Sequence, residues 1–105
     1  MRTVLVEDHA LVRAALRSLL QRLSDVEVIA EAADGRQAIA IALEMHPDLI
    51  LMDIALPGLN GLEALARIRH ELPRTKVLIV SMLVDEEHAM QAFLLGAAGY
   101  LSKGA

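Results

Sequence analysis

Short apolar runs alternate with amphipathic stretches along this chain, and that alternation restricts its fold more than any other feature. The first apolar run, "TVLV", is followed by an amphipathic stretch over residues 10–23. Apolar runs of this length are typical of buried parallel strands. Leucines spaced three and four residues apart are typical of helices that pack on one face. Strict alternation predicts an α/β protein with a parallel sheet and right-handed crossovers.

The pattern divides the chain into five strands and four helices. We predict strands over residues 3–6, 26–32, 48–52, 76–81 and 99–103. We predict helices over residues 10–23, 36–45 and 62–72, and a fourth between Asp85 as N-cap and Gly96 as terminating glycine. The Asp34–Gly35 pair predicts a turn before the second helix.

Composition limits the classes of function. The 105 residues suffice for one domain, predicted over residues 1–105. A net charge of -4 argues against direct nucleic-acid binding, which needs a basic patch. Cysteine is absent, which excludes disulfides and thiolate metal sites and favours the cytoplasm. No apolar run is long enough for a membrane span, so we expect no membrane partner.

Polar side chains collect where the predicted strands end. The carboxyl ends of parallel strands form the functional edge of an open α/β sheet. The residues found there are Glu7 and Asp8 after the first strand, Asp53 after the third, and Ser81 and Lys103 at the ends of the fourth and fifth. Each alone has an ordinary structural interpretation, such as a helix N-terminal charge or a turn residue. Their joint occurrence predicts a site.

The residue types at this edge favour phosphoryl chemistry. Three carboxylates close together repel each other unless a cation joins them, and oxygen-only ligands suit Mg²⁺ or Mn²⁺. A carboxylate such as Asp53 can act as the nucleophile that accepts a phosphoryl group. Lys103, Ser81 and backbone N–H groups around Ala55 could then hold the added oxygens. No residue stands out as a base to activate water for hydrolysis.

Five motifs carry a resemblance to a known family. "VLVEDHALVRAALRSLL", "PDLILMDIALPGLNGLEALARIR" and "GAAGYLSKGA", joined by "AEAADGRQAI" and "KVLIVSM", resemble a response-regulator receiver domain of the NarL/FixJ (LuxR-type) subgroup. The resemblance covers essentially the whole chain. It implies a flavodoxin-like, doubly wound five-stranded parallel sheet in the order 2-1-3-4-5. It also implies two-component signal transduction, with a histidine kinase or phosphotransfer protein as partner.

The resemblance assigns a role to each residue of the acidic edge. It implies that Asp53 is the phospho-acceptor and that Mg²⁺, or Mn²⁺, is held by Glu7, Asp8, Asp53 and the backbone carbonyl of Ala55. Asp8 is implied as the direct ligand and Glu7 as a ligand through water. The domain would assist its own phosphorylation without being an enzyme.

The resemblance also implies a switch. Ser81 corresponds to the hydroxyl that turns toward the phosphoryl group, Lys103 to the lysine that pairs with it, and Tyr100 to an aromatic switch residue. On the residues alone, a half-buried strand tyrosine is the better interpretation of Tyr100. Gly104 follows Lys103 where the family has proline, which argues against a cis peptide there.

The end of the chain departs from the family. A fifth helix, and in the NarL/FixJ subgroup a helix-turn-helix DNA-binding domain, would follow residue 105. We therefore expect a truncated receiver, without direct nucleic-acid binding, whose intact parent regulates transcription. Without the last helix, the sheet face beside Leu101 would be uncovered. We expect either lower stability or self-association through that face.

Two other functions fit parts of the pattern. A phosphatase of the haloacid-dehalogenase type also forms an aspartyl phosphate, but it needs a second acid two residues after the nucleophile, where this chain has Ala55. A receiver-like interaction module that has lost phosphorylation would normally lack one of the acidic or lysine positions. All of those positions are present here.

Overall fold

A five-stranded parallel sheet forms the centre of the fold. The computed structural model describes residues 1–54, 61–81 and 86–102. The strands are β1 (Arg2–Val6), β2 (Glu27–Ala32), β3 (Leu49–Met52), β4 (Lys76–Ser81) and β5 (Gly99–Ser102). They lie in the order β2-β1-β3-β4-β5, and every neighbouring pair is parallel. The predicted fold class and strand order are confirmed.

Four helices connect the strands within the described residues. They are α1 (Ala10–Gln21), α2 (Gly35–Met45), α3 (Gly61–Glu71) and α4 (Glu86–Leu94). None of them combines the length and the apolar character that crossing a bilayer requires. The predicted N-cap of α4, Asp85, lies outside the described residues.

Two helix ends follow their sequence signals. The Asp34 side chain accepts a hydrogen bond of 2.8 Å from the backbone N–H of Gln37 and so caps α2. At the end of α4, Gly96 has a φ of 103°, a conformation that favours glycine. There the N–H of Ala97 donates to the carbonyl of Ala92 at 2.9 Å. The turn predicted at Asp34 is therefore a helix cap, and Gly96 ends its helix as predicted.

The hydrophobic core lies on one face of the sheet. Val4, Val6, Ile50 and Met52 from the strands pack with α2 and α3 residues such as Leu65. All five of these side chains are at most 1% exposed. Right-handed crossovers in this strand order put α2, α3 and α4 on this face and α1 on the other.

The second face of the sheet is less completely covered. Leu5 alternates with the core residues of β1 and therefore points to this face, where α1 packs against β1 and β2. No residue of α1 is fully buried, and Leu19 is 56% exposed. Leu101 on β5 is 54% exposed. The sequence pattern of α1 is amphipathic, but its apolar side is only half buried.

Candidate functional site at the carboxyl edge of the sheet

The structure brings Glu7 and Asp53 together at the carboxyl edge of the sheet. Glu7 follows β1 directly and Asp53 follows β3 directly, and these strands are neighbours. The backbone N–H of Asp53 donates to the carbonyl of Val6 at 3.2 Å, so the parallel pairing continues up to Asp53. The two acidic side chains therefore leave the backbone from adjacent positions. Ser81, the last residue of β4, ends the next strand along.

The polar side chains of this edge are withdrawn from solvent. Glu7 is 1% exposed, Asp53 is 5% exposed and Ser81 is fully buried. Removing an ionised carboxylate from water is costly unless compensating partners surround it. Polar side chains in an ordinary loop are exposed to solvent. The burial of three polar side chains at this edge is therefore typical of a functional site.

His9, for which the sequence predicted no role, lies close to both acids that follow β1, Glu7 and Asp8. The Nδ1 atom of His9 lies 3.1 Å from Oε1 of Glu7 and 3.2 Å from Oδ1 of Asp8. Glu7, Asp8 and His9 each offer one possible ligand atom, and these three atoms all lie within 4.8 Å of one another. The only sequence signal for this contact is the position of His9 directly after the two acids.

Two arginines of α1 fix the strand ends beside the site. The guanidinium of Arg13 donates to the backbone carbonyl of Glu7 at 2.8 Å. Arg13 and Arg17 also form ion pairs with Glu31 on β2, at 3.2 Å and 2.7 Å. Partly exposed pairs of this kind contribute little stability, roughly 0–1 kcal/mol each. These contacts link α1 to the ends of β1 and β2 and turn Glu31 toward the arginines.

One carboxylate oxygen is buried without a hydrogen bond. Oδ1 of Asp8 is shielded from solvent and accepts no hydrogen bond among the described residues, although His9 Nδ1 is close to it. The Asp8 side chain as a whole is 27% exposed. A buried acceptor left without a donor raises the energy of the folded state by roughly 1–3 kcal/mol. An oxygen in this state is suited to a cation.

Comparison with known proteins identifies the family. The family model that describes the response regulator receiver domain matches residues 3–105 of this chain. The chain belongs to the response regulator receiver domain family.

The relatives of this receiver domain include transcriptional response regulators. It is 37% identical over 102 residues to the transcriptional regulatory protein LiaR of Bacillus subtilis, covering 97% of this chain and 48% of LiaR. It is 42% identical over 106 residues to the oxygen regulatory protein NreC of Staphylococcus aureus, covering 100% of this chain and 49% of NreC. The chain thus spans about half the length of the curated relatives it matches.

A solved structure matches the fold closely. The crystal structure of a LuxR-family two-component response regulator from Aurantimonas sp. SI85-9A1 superposes with a TM-score of 0.95 at 39% identity. The match covers 99% of this chain and 74% of that one. This receiver domain is therefore of the NarL/LuxR type that its motifs resemble.

The structure describes Tyr100 but not the two other candidate residues, Lys103 and Ala55. Tyr100 is partly buried and packs against the core on the α2–α4 face, in register with Ile79 of β4. Lys103 and Ala55 lie outside the described residues. The switch roles of Ser81 and Tyr100, and the roles of Lys103 and Ala55, therefore stay predictions.

The donor set of this receiver domain fits a divalent metal ion. Receiver domains typically bind Mg²⁺ at an acidic pocket, and here Glu7, Asp8 and His9 form a cluster that could hold an ion, while Asp53 follows the neighbouring strand β3. Mg²⁺ keeps several waters and takes one or two carboxylates plus phosphate oxygens. The Oδ1 atom of Asp8, which has no hydrogen bond, and the partial exposure of the Asp8 side chain as a whole match that requirement.

We expect Asp8→Asn to raise the free energy of unfolding of the metal-free receiver domain by about 1 kcal/mol. The amide removes a negative charge beside buried Glu7, and we expect this gain to exceed the losses of the contact between Asp8 and His9 and of the helix N-terminal charge interaction in α1. Urea denaturation in EDTA measures the change, with exposed Asp25→Asn as the control variant. A loss of stability in Asp8→Asn would contradict the interpretation of the site as strained without a cation.

Proposed function

We propose that this receiver domain accepts a phosphoryl group on Asp53 from a histidine kinase or phosphotransfer protein and thereby controls an output. The observation that carries the proposal is the pairing of β1 and β3 up to Asp53, so that buried Asp53 ends its strand at the same edge of the sheet as Glu7 and Asp8. This arrangement combines a nucleophile with ligands for Mg²⁺, or for Mn²⁺ in its place. The family identification supports the same chemistry.

The phosphoryl transfer is a single displacement. A carboxylate oxygen of Asp53 forms a bond to phosphorus while the bond from phosphorus to the donor's imidazole nitrogen breaks, and the leaving imidazole takes up a proton. Bound Mg²⁺ supplies charge neutralisation for the phosphoryl oxygens. Burial and the backbone hydrogen bond to Val6 orient Asp53, and Glu7 and Asp8 provide the negative charge that attracts the ion. We propose that Lys103 pairs with the added phosphoryl group.

The switch starts at β4 and β5. Ser81 is fully buried at the end of β4 and is paired with Ser102. We propose that its hydroxyl turns toward the phosphoryl group and that Tyr100, two residues before Ser102, changes its packing in response. The domain assists its own phosphorylation, and its product is a conformational state.

The class of the relatives supports a proposal for the output and the location. We propose that the domain works in the cytoplasm as part of a transcription regulator with a helix-turn-helix domain, as the similarity to LiaR and NreC suggests. Residues 1–105 would then receive the signal without binding DNA themselves. Self-association through the face beside exposed Leu101 is a further part of this proposal.

Metal removal tests the proposal directly. The protein is treated with EDTA, then incubated with acetyl phosphate in the presence or absence of Mg²⁺, and its intact mass is measured. We expect one phosphoryl group per chain with Mg²⁺ and none in EDTA, with recovery after Mg²⁺ is restored. Folded protein that gains no phosphoryl group with Mg²⁺ would instead be a receiver-like interaction module, and Mg²⁺-independent labelling would contradict the proposed site.

A further inference from the structure

His9 is the one nitrogen donor in the acidic cluster among the described residues. Its Nδ1 atom is 3.1 Å from Glu7 Oε1 and 3.2 Å from Asp8 Oδ1, while the side chain is 71% exposed. The ring therefore reaches into the site from the solvent side.

Helix capping does not explain this histidine. His9 is the N-cap residue of α1, with φ -84° and ψ 111°, but its side chain makes no capping hydrogen bond. Ser, Thr, Asp and Asn are the residues that stabilise this position, by roughly 1 kcal/mol over residues that do not cap. The ring is directed at the two acids instead. Its placement therefore serves the site and not the helix.

Two of the three donor separations match the spacing of neighbouring ligands around one ion. Bonds of about 2.1 Å at right angles place two ligand atoms about 3 Å apart. The two measured separations from Nδ1 are 3.1 Å and 3.2 Å. The third separation, between the carboxylate oxygens of Glu7 and Asp8, is at most 4.8 Å, so the three donor atoms lie close enough to surround one ion.

We infer that Nδ1 of His9 is a ligand of the divalent ion and shifts the site toward first-row transition metals. Mg²⁺ is a hard ion that favours oxygen, whereas imidazole nitrogen favours ions such as Co²⁺, Ni²⁺ and Zn²⁺. A site with oxygen ligands alone would show a smaller preference for those ions. This inference rests on the proposed Mg²⁺ site and adds the identity of the metals that it accepts.

The experiment compares metals on the whole metal-free chain. Calorimetric titration with Co²⁺ and with Mg²⁺ is carried out on the wild type, His9→Gln and His70→Gln, the last being an exposed histidine of α3 used as the matched control. We expect His9→Gln to lower the ratio of Co²⁺ to Mg²⁺ affinity about tenfold, and His70→Gln to leave it unchanged. Mn²⁺ bound to the wild type should show nitrogen coupling in its electron spin echo signal, which His9→Gln removes.

The outcomes separate the two proposals. If His9→Gln lowers the affinity for both metals equally, or if Mn²⁺ shows no nitrogen coupling in the wild type, His9 only orients Glu7 and the inference is wrong. In that case Mg²⁺ binding and phosphoryl acceptance by the wild type still support the proposed function. If neither metal binds the wild type, the proposed metal site itself fails.

Discussion

Asp53→Asn is expected to leave the protein folded and to abolish phosphoryl incorporation from acetyl phosphate. The amide is nearly the same size as the carboxylate, and the backbone hydrogen bond from residue 53 to Val6 is kept. The neutral amide lacks the anionic oxygen that must attack phosphorus. Intact mass after incubation with Mg²⁺ measures the loss, and far-ultraviolet circular dichroism checks the fold.

Asp34→Asn is the matched control for this substitution. Asp34 also follows a strand of the sheet, and asparagine caps a helix as well as aspartate, so the hydrogen bond to Gln37 is preserved. We expect this variant to take up the phosphoryl group as the wild type does. Equal incorporation into Asp53→Asn would mean that another residue is the acceptor.

Gly61→Ala is expected to lower the free energy of unfolding by about 3 kcal/mol. A β-carbon at Gly61 would lie 2.4 Å from the backbone oxygen of Asp53 and 2.5 Å from the α-carbon of Ile54. The N–H of Gly61 also donates to the carbonyl of Ile54 at 2.8 Å, which fixes the start of α3 against the end of β3. Because the obstructing atoms are backbone, relief requires α3 and the segment that carries Asp53 to separate.

The sign of the change makes Gly61→Ala a sharp test. Helix propensity alone would make alanine more stable than glycine by roughly 0.5–1 kcal/mol. Ala66→Gly in the same helix is the control and should cost about that amount. Chemical denaturation measures both variants. A Gly61→Ala protein that is more stable than the wild type would contradict the close approach of α3 to Asp53. If the rate of phosphoryl incorporation is unchanged in this variant, the close approach is not needed for phosphoryl transfer.

Much of the fold could be predicted from the sequence because its hydrophobic periodicity is strong. The alternation alone predicted the succession of strands and helices along the chain and a parallel sheet with right-handed crossovers, whereas the doubly wound order of the strands in the sheet came from the family resemblance. Element ends were less predictable, since β2 begins at Glu27 instead of residue 26 and α1 ends at Gln21 instead of residue 23. The exposure of Leu19 also could not be predicted, because burial depends on what packs against a helix and not on the helix pattern.

The sequence predicted which residues of the candidate site lie at the same edge of the sheet, because the backbone topology decides this. Topology places Glu7, Asp53 and Ser81 at one edge, because the carboxyl ends of parallel strands meet there. Side-chain directions were not predictable from spacing. Glu31 is turned toward Arg13 and Arg17, and the ring of His9 is turned toward the acids. These side-chain orientations depend on contacts in the folded structure, and the spacing of residues in the sequence does not reveal those contacts.

The most direct measurement of the central claim is the location of the phosphoryl group. After incubation with acetyl phosphate and Mg²⁺, borohydride reduces an aspartyl phosphate to the corresponding alcohol, and tandem mass spectrometry of the digested chain locates the altered residue. The account predicts that Asp53 is altered, and that the alteration is absent when the incubation contains EDTA. Alteration of Asp8 or of any other carboxylate, with Asp53 intact, would contradict it.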